Sequence, residues 1–184
     1  MDTPQREGNP LANPQTTAAL VALETETASL LNRIGNLPPE VPGLRSPEGG
    51  WTIAQIVQHV AVTEETIILN RYVAAMRRGE TGEDRTQAPA RPADPRIMRN
   101  RSPKVQTFPE LEPDPAVTWE EARSHLETVG ARLREAALAC PPGTRHLHPR
   151  FGMLSLATLI QDVAAGHLNR HRQQVEEILS QNGY

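Results

Sequence analysis

One cysteine, Cys140, is all that the 184 residues contain. A single cysteine closes no internal disulfide, which fits a reducing, cytoplasmic setting. Aromatic residues are almost as scarce: two Trp, two Tyr and two Phe. That is too few rings for a stacking surface on single-stranded nucleic acid. A cationic excess is missing too, since 19 Lys and Arg stand against 22 Asp and Glu. The net charge of −3 argues against nucleic-acid binding as the main business of the chain. No apolar run approaches a membrane span in length. The first residues lack a basic stretch followed by an apolar one, so no signal peptide is read there. The length suits one domain with a full core.

Proline is the exception to this scarcity. Its 17 copies punctuate the chain and leave four stretches between them in which apolar residues recur with helical period. Residues 1–15 are polar, carry Pro4, Pro10 and Pro14, and read as a mobile tail before a domain over 16–184. From about Thr17 to Ile34, Leu20, Leu23, Leu30, Leu31 and Ile34 form one stripe, ended by Gly35 and Pro38-Pro39. The second helix opens on a capping box, Thr52 with Gln55, and a hydrophobic staple, Trp51 with Ile56. It is expected to run to about Arg78, with Ile53, Ile56, Val60 and Ile67 inward and Gly79 as its stop. The third opens on Thr118 with Glu121 and shows Trp119, Ala122, Leu126, Val129, Leu133 and Ala137 on one face. The fourth runs from Leu154 to Tyr184, with Ser155 as N-cap and Leu154 and Leu159 as staple.

Between the second and third helices, residues 79–117 are rich in proline and arginine. Seven prolines exclude a long helix there. A solvated crossover is the preferred reading, and a lid whose arginines meet an anionic substrate is the alternative. No strand is read anywhere, and R-H-L-H-P-R-F-G-M-L, with His146 and His148, is expected to be a surface loop. The pattern implies an all-α, antiparallel four-helix bundle. The long crossover lets helices two and three run parallel, giving an up-down-down-up order.

On the fourth helix the apolar stripe is interrupted by His167 and His171. Four apart, both rings project from one face, as a shared metal ion would require. The spacing alone is weak evidence. A zinc-protease reading needs Glu directly after the first His, and Leu168 stands there. Two histidines also fall short of the three protein ligands of an open site. His59 is the one histidine of the second helix, with Thr63, Thr66 and Asn70 beside it. Glu64 and Glu65 fall off its stripe and are expected on a solvated face. His125 reads as peripheral.

G-G-W-T-I-A-Q-I-V-Q-H-V (49–60) followed by H-P-R-F-G-M-L-S-L-A-T-L-I-Q-D-V-A-A-G-H-L-N-R-H-R-Q-Q-V (148–175) resembles the DinB/YfiT-like family. Its pattern is a Trp-Ser/Thr helix start, a His two turns later, an HPxxG turn, and HxxxH followed by Gln. The resemblance covers most of the chain from the first helix onward and is loose across the crossover, so substrate contacts do not transfer. It implies a four-helix bundle, often dimeric, with a divalent metal between helices two and four. The implied ligands here are His59, His167 and His171. Three imidazoles suit zinc or nickel, also iron or cobalt, and not magnesium or calcium. Gln174, Thr63 and Asn70 are candidates to hold the second ring nitrogens.

Two function classes follow. In the first, the chain is an enzyme in which the metal activates water or a low-molecular-weight thiol toward a small-molecule substrate, as a hydrolase or thiol S-transferase. In the second, it is a non-catalytic, stress-associated bundle with a structural or absent metal. A closed structural site would need a fourth ligand, for which His148 or His125 are the suspects.

Overall fold

The computed structural model describes residues 13–102 and 107–184. The tail expected over 1–15 lies outside the described residues as far as residue 12. Asn13 is the N-cap of the first helix: its side-chain oxygen accepts from the Gln15 N–H, and α1 runs Pro14–Gly35. Pro14 suits the first turn, where its missing N–H has no partner to lose. The helix therefore starts three residues before the expected Thr17.

The second helical run, α2, consists of Ile53–Thr63, a π segment Glu64–Val73 and Ala74–Arg77. Its capping box forms as read: Gln55 N–H donates to Thr52 Oγ1 and Thr52 N–H to Gln55 Oε1. Gly79 follows its end with φ 75°. The inward stripe departs from expectation past Val60. Glu64 lies four residues past Val60, on the same face of a regular helix, and beyond it the wider i→i+5 turn keeps positions four apart on that face. Val60, Glu64, Ile68 and Tyr72 are all buried, whereas Ile67 is only partly so. Glu64, expected in solvent, is thus drawn into the core. Glu65 stays near the surface and pairs with His125 and Arg132.

The third helix, α3, is Trp119–Leu138, with its Thr118–Glu121 box formed and Ala122, Leu126, Val129, Leu133 and Ala137 buried. The fourth, α4, joins Leu156–Thr158, a π segment Leu159–Ala164 and Ala165–Gln181, capped by Ser155. The chain is mostly helical. Both α1 and α2 pack against α3 and α4, and one apolar cluster built from all four forms the core. No described helix is long and apolar enough to cross a membrane.

A small antiparallel hairpin corrects the reading that no strand exists. β1, Arg145–His148, pairs with β2, Gly152–Ser155, with His146 opposite Leu154 and Leu147 opposite Met153. Four residues are too few for a period-two signal, and the hairpin is completed from far away: Leu147 N–H donates to Thr81 O at 2.7 Å. His146 is buried rather than on a surface loop, edge-on to Tyr72 at 5.1 Å, while His148 stacks on Phe151 at 4.5 Å. Gly82 makes this contact possible. A Cβ there would lie 2.2 Å from His146 Cε1, and its φ of 75° already disfavours a side chain. Gly82→Ala is expected to destabilise the fold by about 2 kcal/mol, read from denaturant unfolding.

The described parts of the crossover are docked, not solvated throughout. Ala93 N–H donates to Arg150 O, Asp94 caps a short 3₁₀ helix Pro95–Arg99, and Asp114 N–H donates to Gln58 Oε1. Arg85, Arg91 and Arg96 remain exposed.

Candidate metal centre

The three histidines singled out in the sequence come together. His59 arrives from α2, two turns past the capping box, and His167 and His171 from successive turns of α4. Ring centroids lie 5.1 Å apart for His59 and His167, 4.8 Å for His59 and His171, and 4.5 Å for the α4 pair. One ligand atom from each lies within 4.8 Å of the others. Trp51, held by the start of α2, walls the cluster with its ring 4.7 Å from that of His59.

Hydrogen bonds decide which nitrogens face inward. His59 Nδ1–H donates to Leu111 O at 2.8 Å, and His171 Nδ1–H donates to Gln174 Oε1 at 3.0 Å. Both rings therefore keep Nε2 for the cluster, as second-nitrogen partners of metal-ligating histidines do. His167 Nε2 stands 3.1 Å from His171 Nε2. Two nitrogens each about 2.0–2.1 Å from one zinc at a tetrahedral angle are separated by about 3.3 Å, so this pair needs little movement. In the metal-free chain, one of the two nitrogens donates to the other. His167 Nδ1 is sealed from solvent and has no partner among the described residues.

Burial keeps all three rings neutral, the state that a metal requires. His59 is lowered by desolvation, against a smaller raising effect of the Leu111 carbonyl. His171 is lowered to about 3, first by desolvation and then by the neighbouring His59. His167 is held well below its ordinary value by desolvation and by the other two rings.

The expected supports divide. Gln174 Oε1 accepts from His171 Nδ1–H. Thr63 lies one turn beyond His59, but its Oγ1 is buried without a partner among the described residues. Asn70 is exposed. Eleven residues of helix carry it about three turns along the axis from His59, out of reach. The support of His59 is instead a main-chain carbonyl, Leu111, at the end of the 3₁₀ turn Pro109–Leu111. Sequence reasoning missed it because every residue type carries that group. Neither suspected fourth ligand joins the cluster. His125 Nε2 bonds Glu65 at 2.9 Å, and His148 Nδ1 accepts from Arg150 N–H at 3.1 Å and Phe151 N–H at 3.3 Å within the hairpin.

A mostly helical chain in which three neutral imidazoles from two helices converge defines a protein able to hold a transition metal. The family model described as the DinB superfamily matches residues 22–175, and the chain belongs to that superfamily. No curated protein and no solved structure matches it.

Proposed function

We propose that His59, His167 and His171 hold one divalent transition metal, zinc or nickel before iron or cobalt, and that the chain is a metal-dependent hydrolase or thiol S-transferase. One observation carries this reading: the Nδ1 atoms of His59 and His171 are tied outward, which leaves Nε2 for a shared ion. When bound, such a metal lowers the pKa of a water or low-molecular-weight thiol that reaches it into the physiological range. The chain's own part is to hold the three rings neutral and oriented, to wall the cluster with Trp51, and to leave coordination positions free of His125 and His148. No Asp or Glu joins the three histidines among the described residues. A metal-bound thiolate needs no separate base once formed, so thiol chemistry is favoured over hydrolysis. The substrate is a small molecule. The scaffold is an antiparallel four-helix bundle of up-down-down-up order, working as a cytoplasmic homodimer.

The enclosure of the cluster favours a second, non-catalytic reading with a structural or absent metal, since His59 and His171 are 4% and 7% exposed. Elemental analysis of untagged protein tests the site. About one zinc, nickel or iron per chain is expected, lost in both His59→Ala and His167→Ala. Unchanged metal in those variants refutes the assignment. A metal-free wild type with an intact fold supports the non-catalytic reading.

A further inference from the structure

The crossover lies along one stripe of α4, and that stripe borders the histidines. Asp162, Gly166, Arg170, Gln173 and Glu177 are spaced four, four, three and four apart, so they line one side of the helix. Each meets residues 98–101. The Arg99 guanidinium donates to Gln161 O at 3.3 Å and stands 4.0 Å from the Asp162 carboxylate. Arg170 Nη1 donates to Asn100 O, and Gln173 Nε2 donates to Arg99 O at 3.4 Å. Arg101 forks onto both carboxylate oxygens of Glu177, at 2.7 and 3.3 Å. Gly166 is the point of closest approach: a Cβ there would lie 3.0 Å from Met98 Cβ and 3.4 Å from Arg99 Cγ. His167 and His171 each follow a residue of this stripe, Gly166 and Arg170, so residues 98–101, the strap, lie about 100° round the helix from those two positions.

A nearly buried site needs a way in. The helices around the cluster are locked by fully buried apolar residues such as Ile56, Val60, Leu159, Ile160 and Leu168. The strap is held, Met98 aside, by polar contacts, and in each of its two ion pairs to α4 one partner is about half exposed, so the pairs are individually weak. Segments fastened in this way open first. We propose that residues 98–101 are the movable wall of the histidine site, and that lifting them from the Gly166 stripe admits and releases the metal and its ligands. The proposal rests on the three-histidine metal reading.

Gly166→Ala suits the test, because alanine in a helix interior favours the helix while its methyl pushes the strap away. Glu177→Arg removes the Arg101 fork, and Arg101→Glu with Glu177→Arg restores an opposite-charge pair. Full-length protein loaded with zinc would be mixed with excess chromogenic chelator and zinc release followed in time. Gly166→Ala and Glu177→Arg are expected to release zinc at least fivefold faster, and the double swap within twofold of wild type. Amide exchange on metal-free protein gives a second readout: the Asn100 N–H, bonded to Ile97 O, should exchange faster in both single variants while α4 amides do not. Faster exchange with unchanged zinc release overturns the proposal, as does no change in either. A wild type that takes up no zinc sinks the metal reading itself, and the inference with it. A loaded wild type with strap-independent release sinks the inference alone.

Discussion

Zinc at one hundred times its dissociation constant is expected to raise the melting temperature of the wild-type chain by about 5–10 °C and to leave that of His171→Ala unmoved. A ligand that binds only the folded state adds about 2.7 kcal/mol at that excess. For a chain of this length, each kcal/mol moves the midpoint by about 2–4 °C. The three nitrogens come from helices far apart in sequence, so the unfolded chain presents no comparable site. Removing His171 takes one of them and leaves His167 Nε2 without its neighbour at 3.1 Å. Gln174→Ala separates orientation from ligation. It removes only the acceptor of His171 Nδ1–H, and zinc should still bind, about 10–100-fold more weakly. Thermal scans of the three proteins across a zinc titration make the comparison. Equal stabilisation of His171→Ala would place the zinc elsewhere on the chain.

What the sequence made legible was local. Three helix starts follow from side chains that cap their own first turns: Thr52 with Gln55, Thr118 with Glu121, and Ser155. Each needs only a neighbour three residues on, so spacing suffices. The α4 histidine pair was visible for the same reason, and the third member, His59, was assigned through the family resemblance. The features that stayed hidden depend on distant partners or on backbone. The hairpin gains a bond from Thr81 and packs its His146 against Gly82, more than sixty residues earlier. His59 is oriented by a carbonyl fifty-two residues away. The docked strap depends on Gly166, whose usefulness lies in what it lacks. Glu64 follows Val60 by four residues, so a regular helical period already places it on the buried face, and its charge alone suggested solvent.

Glu64 carries the second large expectation. Its side chain is 2% exposed, and its Oε1 has no partner among the described residues. Desolvation raises the carboxyl from 4.5 to about 8. At pH 7 the folded chain therefore keeps this proton while the unfolded chain loses it. At this group the folded state binds more protons throughout the interval between those two values, so its contribution to stability falls as pH rises through it, against the rise that the three buried histidines give below about pH 6.5. The contribution is fully present below about pH 4.5 and is gone above about pH 8. At about 1.4 kcal/mol per pKa unit, its ceiling is about 5 kcal/mol. Glu64→Gln keeps the shape and cannot ionise, so it should abolish this slope and gain the most over wild type near pH 8. Denaturant unfolding of both proteins at pH 5, 6.5 and 8 makes the comparison. A difference between Glu64→Gln and wild type that is the same at pH 8 as at pH 5 would mean that the carboxylate ionises in the folded chain at no cost, and so that water or a cation reaches it. If instead the advantage of Glu64→Gln grows from pH 5 to pH 8, a neutral carboxylic acid lies in the core of the helix that supplies His59, five residues from that ring.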